Sequence, residues 1–124
     1  MVESYFYDTY ALVEIINGNP NYLNYTNFKM ITTKLNLLEL YSNLLRNSNE
    51  EKAEYYYNLY SLNCININDD IIKEAVKLWI LMRKENKRLS YIDCIGYIIS
   101  RKLKIKFLTG DKEFKDMQDV EFVR

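Results

Sequence analysis

The sequence predicts an α/β fold: a three-layer α/β/α sandwich built on a central, mostly parallel sheet of about five strands. Three observations predict it. Short apolar runs alternate with longer segments whose apolar residues recur at helical spacing. Helical segments separate the runs, which is how parallel strands are joined. No two-residue hairpin turn links any pair of runs. The length of 124 residues fits a single domain, 1–124.

Ser4–Tyr7 is aromatic, ends at Asp8 and reads as the first strand. Thr9–Asn17 sets Ala11, Leu12, Ile15 and Ile16 on one helical face, and Gly18 stops it. Asn19–Asn27, rich in Asn and Tyr, reads as a turn plus a short helix. Lys29–Thr32 reads as the second strand. Lys34–Arg46 is helical, with Leu37, Leu38, Tyr41, Leu44 and Leu45 forming a wide apolar face. Glu50–Ser61 is a helix carrying a run of tyrosines, and Leu62–Ile67, loosely alternating, reads as a strand. Asp69–Glu85 is a long amphipathic helix through Ile72, Ala75, Val76, Trp79 and Ile80, with Trp79 assigned to the core. Ser90–Lys102 is a further helix, apolar at Ile92, Ile95, Ile98 and Ile99. Ile105–Leu108 and Val120–Val123 complete the strands.

Composition narrows the chemistry. At 48% hydrophobic and 27% charged residues the chain has the balance of a soluble globular protein. No apolar run reaches the length of about eighteen residues that spans a bilayer. Met1–Tyr7 carries Glu3 and no basic cluster, so it does not read as a signal peptide, and the expected location is the cytoplasm. There is no histidine, which excludes histidine-based triads and dyads. The only cysteines, Cys64 and Cys94, read as buried thiols and not as a zinc site or a disulfide framework. Seventeen basic residues balance seventeen acidic ones. A broad nucleic-acid footprint is usually basic, so any such contact must come from a local rim. Catalysis, if present, rests on carboxylates, hydroxyls, lysine or a hard metal.

Four acids occupy informative places. Asp8 follows the first strand, Glu39 lies within the helix after the second, Asp93 lies in the first turn of the Ser90 helix, and Asp111 follows the Ile105–Leu108 strand. Ligands of open parallel sheets bind beyond the carboxyl ends of the strands, where Asp8 and Asp111 belong. Asp93 joins them if its helix begins at that edge. Converging carboxylates need a hard cation such as Mg²⁺ or Mn²⁺, and two such ions can activate water against a phosphodiester. Each acid also has a structural reading. Asp8 fits an N-cap, Ser90 and Asp93 have capping-box spacing, Glu39 shares a polar stripe with Asn36 and Asn43, and Gly110-Asp111 fits a turn.

The order of these acids resembles that of the PIN domain. The matching stretches are Tyr5-Phe6-Tyr7-Asp8-Thr9, Leu37-Leu38-Glu39-Leu40-Tyr41, Leu89-Ser90-Tyr91-Ile92-Asp93 and Thr109-Gly110-Asp111-Lys112-Glu113-Phe114. The last two are the more specific, and together they span essentially the whole chain. The resemblance implies a metal-dependent ribonuclease in which Asp8, Glu39, Asp93 and Asp111 bind Mg²⁺ or Mn²⁺ and Thr109 orients a carboxylate or water. It also implies the toxin half of a VapBC-type toxin–antitoxin pair: a homodimer acting on RNA, inhibited by a small antitoxin whose tail enters the cleft. Two other readings stay open, a PIN nuclease of RNA processing or decay and a catalytically inactive PIN-like binding module. A receiver-like signalling domain lacks a phosphoacceptor aspartate at a mid-chain strand end. One departure from the pattern is Tyr10, where many relatives carry serine; Thr9 is the nearby hydroxyl.

Around the cleft, Arg83, Lys84, Lys87 and Arg88 form one basic cluster and Arg101, Lys102, Lys104 and Lys106 another. Either fits phosphate contacts or solvated helix ends. Tyr55, Tyr56, Tyr57 and Tyr60 cannot all face one core, so part of this surface is expected to be exposed and to suit a dimer or antitoxin contact. Glu113 and Asp116 are further acids near the cluster.

Overall fold

In the computed structural model, which describes residues 3–124, a four-stranded parallel sheet is covered by helices on both faces. Met1 and Val2, at the head of the stretch read against a signal peptide, lie outside the described residues. The strands are β1 (Ser4–Tyr7), β2 (Lys29–Ile31), β3 (Lys106–Thr109) and β4 (Val120–Phe122), in the order β2-β1-β3-β4. All three pairings are parallel, with Phe6 opposite Ile31 on one side and Phe107 on the other.

The helices are α1 (Thr9–Ile16), α2 (Lys34–Asn47), α3 (Glu50–Ser61), α4 (Asp69–Lys84) and α5 (Tyr91–Leu103), with a 3₁₀ helix at Pro20–Asn27 and a single 3₁₀ turn at Lys112–Phe114. Every α-helix opens on a residue whose side-chain oxygen accepts an early backbone amide: Asp8, Thr33, Asn49, Asn68 and Ser90. Each such cap satisfies one of the amides that lack an intrahelical partner and contributes about 1 kcal/mol.

Side-chain alternation along the strands divides the core in two. Tyr5, Tyr7 and Leu108 point to one face, where they meet Leu12, Tyr22, Leu37, Leu40 and Leu44. Phe6 and Phe107 point to the other and meet Ile71, Ala75, Cys94, Ile95, Ile99 and Phe114. The Phe6 and Phe107 rings stack at 5.5 Å, and truncating either to alanine is expected to cost about 3–5 kcal/mol. Gly96 lets α5 come this close, because a Cβ there would meet Phe6 Cε1 at 2.6 Å. The α1–α2–α3 layer and the α4–α5 layer therefore bury opposite faces of one sheet.

Two expectations need correction. Leu62–Ile67 is not a strand, so the sheet among the described residues has four strands and not five. The segment touches the β2 edge through one bridge, Thr32 with Cys64, held by Thr32 N–H to Asn63 O (3.1 Å) and Ile65 N–H to Thr32 O (3.0 Å). Leu62, 86% exposed, caps the end of α3 and faces solvent, so the loose alternation never becomes a buried face. Trp79 is only half-buried. Its ring lies between Tyr91, stacked at 4.7 Å, and the Arg83 guanidinium at 4.6 Å. The tyrosines of α3 grade from exposed Tyr55 through half-buried Tyr56 and Tyr57 to buried Tyr60.

Candidate metal centre

The strand order reverses between β1 and β3: the chain leaves β1 to one side for β2 and returns on the other side as β3. Such switch points open a crevice at the carboxyl ends of the two strands. Asp8 directly follows β1, and Asp111 follows β3. Helix α5 runs straight into β3, so it lies antiparallel to it and begins at the same edge, which brings Asp93 there. Glu39 comes from α2, one position after exposed Leu38. All four acids line one cavity of about 620 Å³.

Capping is what positions three of them. Asp8 Oδ1 accepts the Ala11 amide of α1 (2.9 Å), Asp93 Oδ2 accepts the Ser90 amide in a complete capping box (2.9 Å), and Asp111 Oδ1 accepts the Glu113 amide (3.0 Å). Each cap engages one carboxylate oxygen, and at Asp8 and Asp93 the Thr109 and Ser90 hydroxyls also lie against the carboxylate. The structural and functional readings of these acids are therefore compatible: helices that start at the carboxyl edge of the sheet must have their caps at that edge. Glu39 is fixed differently. Its Oε1 accepts the Thr9 hydroxyl at 2.6 Å, and the Thr9 Oγ1 in turn accepts buried Asn36 Nδ2 at 3.3 Å.

Electrostatics shows how costly this gathering is. Asp8 is buried, and that burial pushes its pKa up to about 8. The Thr109 hydroxyl and the Ala11 amide oppose the rise, while Asp93 and Asp111 add to it. Burial likewise pushes Asp93 up to about 6, against the Ser90 hydrogen bonds and with Glu39 and Asp111 adding repulsion. The acids thus feel one another across a shared space. An all-oxygen donor set of this kind fits a hard divalent cation, which offsets the repulsion and the desolvation together. As the side chains stand, no three acidic or thiol groups among the described residues are spaced to grip an ion. Each carboxylate is turned toward its own cap or hydroxyl.

Thr109 is fully buried; its side chain lies against Asp8, and its Oγ1 accepts the Asp111 amide at 3.0 Å, joining two of the acids. Thr9 contributes the hydroxyl near Glu39, while Tyr10 lines the cavity. Glu113 and Asp116 do not line it; Glu14 does. Asn43, read from sequence as sharing the polar stripe of Glu39, lines it too; Ser42 and Arg46 were not singled out from sequence, although their spacing of three and seven from Glu39 places them on its helix face.

The two basic clusters differ. Arg101, Lys102 and Lys106 pair with Asp119, Glu74 and Glu121 on the molecular surface (3.2, 2.7 and 3.9 Å). In the other cluster, Lys87 Nζ donates to Glu113 O at 3.2 Å, next to the Asp111 turn. Cys94 is buried and Cys64 half-buried, and both thiols are free. Among the described residues no helix is long and apolar enough to cross a membrane.

Comparison with known proteins gives the same architecture. The family model described as PIN domain matches residues 5–120. No curated protein matches the sequence. Among solved structures the chain is similar to VapC20 of Mycobacterium tuberculosis, described as a sarcin-ricin loop cleaving toxin. The TM-score is 0.76 and the identity 19%, with 96% of this chain and 98% of that one covered. It is also similar to VapBC2 of Rickettsia felis bound to a promoter DNA fragment (TM-score 0.73, 13% identity, 98% and 99% covered). A third is VapBC-1 of nontypeable Haemophilus influenzae (TM-score 0.72, 16% identity, 96% of both chains).

Proposed function

The chain belongs to the PIN-domain family, and from that premise we propose that it is a divalent-metal-dependent endoribonuclease, the toxin member of a toxin–antitoxin pair. One observation carries the reading: four carboxylates from four separate segments share one cavity at the sheet's switch point. Asp8, Glu39, Asp93 and Asp111 would hold Mg²⁺ or Mn²⁺. When bound, such a cation supplies Lewis-acid stabilisation of phosphodiester charge and a lowered pKa for water.

The protein's own part is positioning. Thr109 orients Asp8 and the Asp111 backbone, Thr9 orients Glu39, and Ser90 orients Asp93. Attack of water on phosphorus would break the bond to the 3′-oxygen, which leaves as the 3′-hydroxyl once protonated, while the 5′ side keeps the phosphate. The similar folds include a toxin described as cleaving the sarcin-ricin loop and a toxin–antitoxin complex of Klebsiella pneumoniae. They support RNA as the substrate and a small antitoxin as the partner. A single domain, a homodimer and a cytoplasmic location complete the proposal.

The test is Mn²⁺-dependent cleavage of a mixed RNA pool. Asp8→Asn and Asp93→Asn should each abolish cleavage and keep the fold; cleavage retained in both sinks the assignment. Growth arrest on expression, relieved by a small neighbouring gene product, separates the toxin from a nuclease of RNA processing. The spacing of the carboxylates favours one second reading, a catalytically silent binding module. Failure to bind Mn²⁺ in titration would select it.

A further inference from the structure

The cavity has a second part that the acidic floor does not use. Tyr10, Val13 and Glu14 of α1 and Leu38, Ser42, Asn43 and Arg46 of α2 continue its walls. Within each helix these positions are three or four residues apart, so each set lies on one face. Arg46 follows Glu39 by seven residues, about 10 Å along the helix. It is the one cation lining the cavity among the described residues. Its Nε donates to Ser42 Oγ at 3.2 Å. No carboxylate of the described residues reaches salt-bridge distance of it, although Glu14 and Glu39 line the same space.

Tyr10 is held from behind. One side of it packs against the α1–α2–α3 core. Its ring also occupies the space a side chain at Gly110 would take, since a Cβ there would meet Tyr10 Cε1 at 2.3 Å. A fixed aromatic wall and an unpaired guanidinium beside an acidic floor match the two parts of a nucleotide. A base stacks on the ring, and a phosphate takes charge-assisted hydrogen bonds from the guanidinium. The arginine also offsets the repulsion a polyanion meets on approaching four carboxylates.

We propose that Tyr10 and Arg46 form a nucleotide subsite that seats one residue of single-stranded RNA next to the bond to be cut. The proposal rests on the nuclease reading and adds which residues hold and select the substrate.

The test uses the full chain with Asp93→Asn, so that RNA is bound without turnover. Fluorescence anisotropy with oligoadenylate and oligouridylate hexamers is read over a salt series. Adding Tyr10→Ser should weaken binding between about fivefold and a hundredfold, as loss of one stacked base does, and more for adenylate than for uridylate. Tyr10→Phe, which keeps the ring, should restore it. Arg46→Gln, at an exposed position, should lower the slope of log affinity against log salt by about 0.7, the value for one phosphate contact on a single strand. Unchanged affinity in Tyr10→Ser with an unchanged slope in Arg46→Gln overturns the subsite, as does a parent that binds neither hexamer. If Tyr10→Ser does not fold, the Arg46→Gln slope decides alone. Binding that behaves as expected while the wild type cleaves no RNA would remove the nuclease reading and leave the subsite standing.

Discussion

The Thr9 hydroxyl donates to Glu39 Oε1 at 2.6 Å and so ties the first turn of α1 to the middle of α2. Thr9 Oγ1 in turn accepts Asn36 Nδ2, and Asn36 Oδ1 accepts the Thr33 hydroxyl at 2.7 Å. The bridge aims the one of the four candidate metal ligands that no helix cap positions.

Thr9→Val keeps the shape and removes the bridge. Groups that orient metal ligands are typically worth tenfold to a hundredfold in affinity, so Mn²⁺ binding should weaken by about tenfold or more. Leaving Asn36 short of one partner should cost about 1 kcal/mol of stability. Calorimetric titration with Mn²⁺ checks the first figure and urea unfolding the second; an unchanged dissociation constant would show that the bridge does not orient Glu39.

Asp8 makes stability depend on pH. Its folded pKa, about 8, lies above the ordinary 3.8, so the folded state binds more protons between these values. Metal-free stability from this group is therefore full below pH 4 or so and is lost as pH rises toward 8. The melting temperature of Asp8→Asn minus that of the wild type should grow from pH 5 to pH 8 in chelator. Saturating Mg²⁺ should raise the wild-type melting temperature more at pH 8 than at pH 5. A difference independent of pH would refute the shift.

Gly110→Ala should destabilise the protein by about 1–3 kcal/mol, the range for forced overpacking. The added Cβ would meet the Tyr10 ring and the Val123 carbonyl oxygen, both at 2.3 Å. That carbonyl is backbone and also accepts the Tyr22 hydroxyl at 2.6 Å, so it cannot easily give way. Combining Gly110→Ala with Tyr10→Ser should recover only part of the loss, because the carbonyl remains. Full recovery in thermal melts would place the whole conflict on the ring.

Ser90→Ala removes the hydroxyl that caps the Asp93 amide at 3.0 Å while the Asp93 bond to the Ser90 amide remains. The expected loss is about 1 kcal/mol by urea unfolding. A loss near zero would mean that Asp93 alone holds the start of α5.

Much of this was legible in the sequence because local rules and the global fold agree. The short aromatic run Tyr5-Phe6-Tyr7, buried throughout because helices cover both faces of the sheet, and cap residues ahead of apolar faces placed the strands and helices. Asp93 was readable as a cap, and its place at the edge followed once α5 was seen to run into β3. Leu62–Ile67 was misread because a loose apolar alternation carries no information about whether a second face exists to bury it. Trp79 looked like core because it continues the Ile72, Val76 and Ile80 stripe, but that stripe is itself exposed and α4 packs through Ile71, Ala75 and Met82. Arg46 and Ser42 were invisible as cavity residues, since on α2 they resemble any exposed helix positions until α1 packs alongside.

Asn caps a helix about as well as Asp. Two of the four candidate metal ligands, Asp8 and Asp111, stand at N-caps and could therefore exchange oxygen for nitrogen one at a time with the fold kept, and at Asp8 the exchange would even raise stability at neutral pH. Robust expression and a high melting point are consequently no guide to competence in chains of this shape: a lineage can shed its chemistry while its architecture persists, and only the charge count of the cavity records the loss.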